Sequence, residues 1–189
     1  MIKYTDHKFQ LICVNNNLGK IVCIIINSRL VHFLSENNVV RKCHVGVLPN
    51  YRTTDHVFIL HSPLDKQTKA VFSCFVYFKK AFHSIWHEGL QYKLMESGVG
   101  GENIQHYKIH VHKTTSVIKL ATHTHFFPQG HGLRQGCSLS PTRFNIYINE
   151  LARTLEQSVA PILTLLESEV KCLLFADDLV LLSPTKEGL

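Results

Sequence analysis

Apolar residues recur along this chain with two different periods, and each change of period marks a change of element. From Ile21 to Glu36 they fall at Ile21, Ile25, Leu30 and Leu34, with Asn37-Asn38 after them, which predicts a helix ending near Asn37; Asn15-Asn16-Asn17 before it reads as loop. Gly46 to Arg52, with Pro49-Asn50, reads as a turn, and Thr54 or Asp55 caps a short helix through Val57 and Leu60, followed by a polar break at Asp65 to Lys69. Val71 to Phe78 is β-branched and aromatic almost throughout, the pattern of a central strand buried on both faces. Ser84 to Ser97 reads as an amphipathic helix with Ile85, Leu90 and Leu94 inward and Gly98 as its stop. Ser116 to Phe127 alternates weakly, as a hairpin does. Ser140 then forms an N-cap with Pro141 at the first helical position, and Phe144, Ile148, Leu151 and Leu155 make the apolar stripe of a helix.

The last pattern is a hairpin. Lys171-Cys172-Leu173-Leu174 and Leu179-Val180-Leu181-Leu182 are short runs of the buried-strand type, and between them stand Asp177 and Asp178. Two adjacent carboxylates at the tip of apolar strands are costly to desolvate unless a cation neutralises them, so the functional reading is a divalent-metal site with magnesium as the natural ion. The alternative is a solvated Asp-Asp turn.

Composition narrows the classes. The 189 residues suffice for one domain with its own core or for part of something larger, and no repeat, low-complexity tract or internal boundary is visible. Twenty lysines and arginines against 14 acids give a net charge of +6, which favours a polyanionic partner such as nucleic acid. Six cysteines without a C-x-x-C pair and an N-terminus without an apolar signal region fit reduced thiols in cytosol or nucleus. The apolar run Ile21 to Ile26 is too short to span a bilayer, so no membrane segment is expected. His83 and His87 stand four apart, as if on one helix face, but their order is not that of a zinc hydrolase. His106, His110, His112, His123, His125 and His131 have no ligand spacing and read as surface.

Three blocks in order change the picture: Val76-Tyr77-Phe78-Lys79-Lys80-Ala81-Phe82, Arg134-Gln135-Gly136-Cys137 leading to Leu139-Ser140-Pro141, and Phe175-Ala176-Asp177-Asp178. With Leu48 to His56, Ile85 to Leu90 and Phe144 to Leu151, they resemble the reverse transcriptase of non-LTR (LINE-type) retrotransposons, whose blocks read V-D-F-K-K-A-F-D, R-Q-G-C-x-L-S-P and F-A-D-D. The resemblance extends from about Leu18 onward. It implies an α+β right-hand polymerase fragment, about 1–70 fingers-like and 71–189 palm, with an antiparallel palm sheet backed by helices and the thumb absent. It also implies two-metal nucleotidyl transfer with Mg2+, RNA template, DNA primer and dNTP, and no membrane partner. By the same match Asp177 and Asp178 are the metal residues, and the Phe78 carbonyl is a further ligand. Phe82 presses on the sugar, Gln135 and Gly136 contact nucleotide and template, and Arg134 and Arg52 approach phosphate.

This copy departs from the pattern at two sites. Tyr77 stands where the family has the aspartate that bridges both metals, and a neutral, bulky phenol offers no bidentate anionic oxygen to a hard cation. His83 replaces a second aspartate, where it weakens a helix cap. The chain is therefore expected to be a truncated, catalytically dead reverse transcriptase in which Tyr77 donates a hydrogen bond to Asp177. The alternatives are a non-catalytic nucleic-acid-binding remnant and an unfolded relic.

Overall fold

The structure is a computed structural model that describes residues 13, 16–41, 43–44, 52–66, 71–100, 115–117, 126–165 and 168–189. Helix α1 (Asn17–Glu36) starts four residues before the predicted span because the Asn16 side chain caps it, its Oδ1 accepting from the Gly19 N–H at 2.6 Å. It ends as expected at Asn37. Over its full 20 residues α1 is long and apolar enough to cross a bilayer by length and composition alone, a test that core helices also pass. Cys23, Leu30 and Leu34 are nonetheless buried in the main core. Helix α2 (Thr53–Lys66) begins just before the expected cap residues Thr54 and Asp55, with the Asp55 carboxylate accepting from the Arg52 N–H at 2.6 Å, and reaches into the expected polar break as far as Lys66; the rest of that break lies outside the described residues. The turn predicted over Gly46 to Arg52 falls, apart from Arg52, outside the described residues.

Strand β1 (Phe72–Tyr77) exists, but two expectations for it fail. It lies at the edge of a three-stranded antiparallel sheet whose other members are the predicted hairpin, β6 (Cys172–Phe175) and β7 (Asp178–Ser183), with β7 in the middle. It is also largely exposed, Phe75 and Tyr77 each at 74%. β-Branched and aromatic residues suit a two-sided buried strand and an open edge equally well, so composition could not separate the two.

The register fixes which residues share a face. Val76, Leu179 and Leu174 form one row; Cys74, Leu181 and Cys172 form the next. This face packs on helix α4 (Ser140–Gln157) through Ile148, Leu151, Ala152 and Leu155. Leu174 is fully buried there, and a leucine so placed contributes roughly 1.5–3 kcal/mol. The opposite face carries Phe75, Val180 and Leu173 in one row and Tyr77, Asp178 and Phe175 in another. Ile59 and Leu60 of α2, with Leu163 of the small β4 (Leu163–Leu165) and β5 (Ser168–Val170) hairpin, cover its β6 side. The β1 side stays open.

The helix predicted from Ser84 starts later, at His87. A 3₁₀ turn, Ala81–Ser84, is followed by extended Ile85 and Trp86, and α3 spans His87–Glu96. The backbone of Ile85 and Phe82 is occupied by an incoming segment, the Gly132 N–H donating to Ile85 O (2.9 Å) and the Leu133 N–H to Phe82 O (2.7 Å), so the chain cannot coil there. His83 and His87 therefore do not share a helix face. Gly98, at φ 84°, follows the helix end at Ser97. Two short strands, β2 (Thr115–Ser116) and β3 (Phe127–Pro128), pair antiparallel; most of the expected hairpin between them lies outside the described residues. Helix α4 carries the predicted stripe, but Ser140 is not its cap: the cap residue is Leu139, and the Ser140 hydroxyl donates to the Arg134 carbonyl at 2.7 Å.

Candidate active site

The Asp177 turn closes the β6–β7 hairpin in two residues. Ala176 takes the left-handed conformation (φ 52°), a strained backbone for a residue with a Cβ, and Asp177 follows it half-buried. Asp178 opens β7 and is exposed. Across the ladder it faces Tyr77 of β1 on one side and Phe175 of β6 on the other. The expected chemistry is thus brought together, with one member changed: two carboxylates and a phenol at one end of one sheet. The expected hydrogen bond from Tyr77 to Asp177 is not formed, because Tyr77 pairs with Asp178 and its side chain projects into solvent.

Phe78 follows β1 directly and packs half-buried into the α4 cluster. Lys79 and Lys80 then turn the chain, Lys80 at φ 55°. Phe82 stacks on Phe144 of α4, centroids 4.4 Å apart and planes at 12°. Its ring is thus held as part of the core side of the site. Arg134, Gln135 and Gly136 sit in the loop that enters α4, with Gly136 at φ 93°, a conformation that favours glycine. The Gln135 carbonyl accepts from the Cys13 N–H at 2.8 Å, while its side-chain Oε1 is buried without a partner. Arg52 is exposed at the start of α2.

Sequence reasoning passed over the residues that hold these parts in place. His87 is buried, and its ring Nε2 donates to the Gly132 carbonyl at 2.7 Å, tying α3 to the loop that leads to Arg134. Gly132 itself has φ 82°, and a Cβ there would lie 2.8 Å from the His83 carbonyl oxygen. Beside Phe175, His56 of α2 meets the ring edge-on at 6.4 Å, and His44, fully buried, bridges Leu174 of β6. Burial, with the neighbouring His56, pushes the His44 imidazole down to about 4; burial also lowers His56. No motif spacing marks these histidines. Among the expected surface histidines, His131 is exposed, and the other five lie outside the described residues.

A divalent ion would find too few anionic donors. Asp177 and Asp178 supply carboxylate oxygens, Tyr77 supplies a phenol, and among the described residues no group of three or more His, Cys, Asp or Glu side chains could hold a metal. The residues present do not fit a two-ion site.

The sequence model of a family described as reverse transcriptase (RNA-dependent DNA polymerase) matches residues 2–189. The retrovirus-related Pol polyprotein from the type-1 retrotransposable element R2 of Nasonia vitripennis is 32% identical over 113 residues, which are 59% of this chain and 11% of that polyprotein. This bears out the resemblance to non-LTR elements, and the match covers about a tenth of that polyprotein's length. Among solved structures, telomerase from Candida albicans in complex with a fragment of telomeric RNA superposes with a TM-score of 0.67 at 13% identity, over 89% of this chain and 30% of that one. Apo telomerase from Candida tropicalis, truncated from its C-terminal domain, gives 0.60 at 14% identity, over 93% and 39%. At these identities the likeness is one of fold, and the fold is that of polymerase fingers and palm.

Proposed function

Because the chain belongs to the reverse transcriptase (RNA-dependent DNA polymerase) family, we propose that it is the fingers-like (about 1–70) and palm (71–189) part of a non-LTR retrotransposon reverse transcriptase whose two-metal nucleotidyl transfer has been lost. The observation that carries this reading is the row Tyr77, Asp178, Phe175 at the end of the sheet. In the family that row begins with the aspartate shared between two Mg2+ ions. A phenol in its place withdraws one anionic ligand, worth several kcal/mol at the transition state, and each ~1.4 kcal/mol is tenfold in rate. A loss of roughly a thousandfold or more follows.

Asp177 and Asp178 retain the family's metal positions, and the Phe78 carbonyl directly follows Tyr77 in sequence. Arg134, Gln135, Gly136 and Arg52 keep the positions that contact nucleotide, template and phosphate, and Phe82 keeps that of the residue against the sugar. A primer-extension assay on the purified chain with RNA template, DNA primer, dNTP and Mg2+ or Mn2+ is expected to show no product; template-dependent synthesis that disappears in Asp177→Ala refutes the proposal.

Holding nucleic acid without chemistry is the second reading. It is favoured by Phe75 and Tyr77, two exposed aromatics on the open part of the sheet face, in a chain of net charge +6. Fluorescence anisotropy of a short RNA–DNA hybrid across a salt series tests it: affinity that falls as salt rises supports binding, and no binding at low salt sinks it.

A further inference from the structure

The three-stranded sheet has two outer edges, and they differ. On the β6 side the Leu174 N–H donates to the Cys43 carbonyl at 2.8 Å, and His44 pairs with Leu174 in a parallel bridge, so that edge is capped. On the β1 side nothing among the described residues pairs with the strand. In a strand laddered to a neighbour on one side only, every second residue turns its N–H and C=O outward. Burial agrees that this edge meets solvent: Ser73, Cys74 and Phe75 are consecutive, hence on alternate faces, and all three are exposed. Cys74 belongs to the row that faces α4, so its exposure means that α4 does not reach under β1 there.

Soluble proteins guard an open edge with a charge, a proline, a bulge or a very short strand. β1 has none of these. Its six residues, Phe72-Ser73-Cys74-Phe75-Val76-Tyr77, are uncharged and free of proline, and they pair one-to-one with β7 from Phe72–Ser183 to Tyr77–Asp178, without a bulge. Lys79 and Lys80 lie beyond the strand, where the chain turns away with Lys80 at φ 55°. An uncharged, aromatic and β-branched run of this length is the kind that pairs with its own copy.

We infer that β1 is a self-association edge: two copies of this chain pair β1 to β1, antiparallel about a twofold axis perpendicular to the sheet, into one sheet with three strands from each copy. The occupant is a second copy because the edge is its own complement under that symmetry. Each outward N–H meets an outward C=O, and no charge within one strand opposes a like charge within the other. The capped β6 edge closes the assembly at two, since each sheet offers one free edge. The twofold keeps both α4 helices on one side of the sheet, so only residues that point to the same face can stand opposite one another. Registers centred on Cys74 or on Phe75 satisfy this. The Phe75 register sets the two exposed Phe75 rings opposite each other, and Tyr77 opposite Ser73 of the second copy, on the open face that carries Asp178. Cys74 then lies diagonal to its counterpart, about 7–8 Å away.

Sedimentation of the full chain from about 2 to about 200 μM, with a thiol reductant present, tests the pairing. The expected result is a reversible monomer–dimer equilibrium without larger species. Phe75→Lys removes the ring pair and sets two ammonium groups across the twofold, and should raise the dissociation constant roughly tenfold or more. Phe126→Lys, the same change at a ring as exposed but outside this sheet, should leave the constant unaltered. A second readout needs no variant: a short bismaleimide, added after the reductant is removed, should join Cys74 of one copy to Cys74 of the other, the pair being identified by peptide mapping. A chain that stays monomeric over the whole range, one that grows beyond the dimer, a dimer that Phe75→Lys leaves intact, or an intermolecular cross-link at another cysteine pair in place of Cys74–Cys74 overturns the proposal.

Discussion

Tyr77 and Asp178 face each other directly across the β1–β7 ladder, with Phe175 completing the row on β6. Replacing the phenol with a carboxylate at this position sets like charges across the ladder, which destabilises a sheet by roughly 0.2–1 kcal/mol. Tyr77→Asp should therefore lower the metal-free melting temperature by about 1–3 °C, measured by calorimetry in the presence of a chelator. An unchanged or higher melting temperature would contradict this account of the row.

Acid should weaken the fold through His44. Its folded-state value, about 4, lies below the ordinary imidazole value of 6.5, so the unfolded chain binds the extra proton first as pH falls. The stabilising contribution is complete above about pH 6.5 and is lost progressively toward pH 4, amounting to about 2 kcal/mol between pH 7 and 5. Urea unfolding at the two pH values measures it. His44→Phe, which also removes two buried ring nitrogens without partners, should flatten the dependence; an unaltered slope in that variant assigns the effect elsewhere.

Phe82 holds its neighbours through the stack on Phe144. Truncation in Phe82→Ala removes that contact and opens space beside α4, with an expected loss of about 2–3 kcal/mol, below the range for a fully buried phenylalanine because the ring is only half-buried. Phe82→Tyr should be close to neutral. A loss under about 0.5 kcal/mol for the alanine variant in denaturant melts would mean that the stack contributes nothing.

The His87 bond to Gly132 anchors the loop that bears Arg134. His87→Ala leaves the Gly132 carbonyl without this donor and should cost about 1–3 kcal/mol, with faster tryptic cleavage after Arg134. Gly132→Ala meets both a left-handed backbone and the His83 carbonyl, and should be at least as damaging. Equal cleavage rates in wild type and His87→Ala would remove the anchoring role.

These residues also show what the sequence could and could not display. The Asp177–Asp178 hairpin, the stripe of α4 and the end of α1 were legible because each depends on neighbours in sequence: apolar runs around a turn, a 3.6-residue period, an asparagine after the last periodic leucine. The order of the three motif blocks made the family and its fold legible as well. The exposure of β1 was not, because an edge strand on an open face and a doubly covered strand use the same residue types. Ser140 misled for a related reason: Ser-Pro is a good helix start, yet its hydroxyl is taken by the Arg134 carbonyl, a partner that only the folded loop supplies. His87 and His44 had no signal at all, since Gly132 and Leu174, which meet them, are far away in sequence.

The most direct test of the central claim is a Mn2+ titration of the purified chain followed by electron paramagnetic resonance, comparing wild type with Tyr77→Asp. With Tyr77 across from Asp178, wild type should take up no more than one ion per chain, weakly, and that uptake should vanish in Asp177→Ala; Tyr77→Asp should bind a second ion. Two ions held by the wild-type chain would show that the phenol does not break the site and would contradict the loss of two-metal chemistry proposed for it.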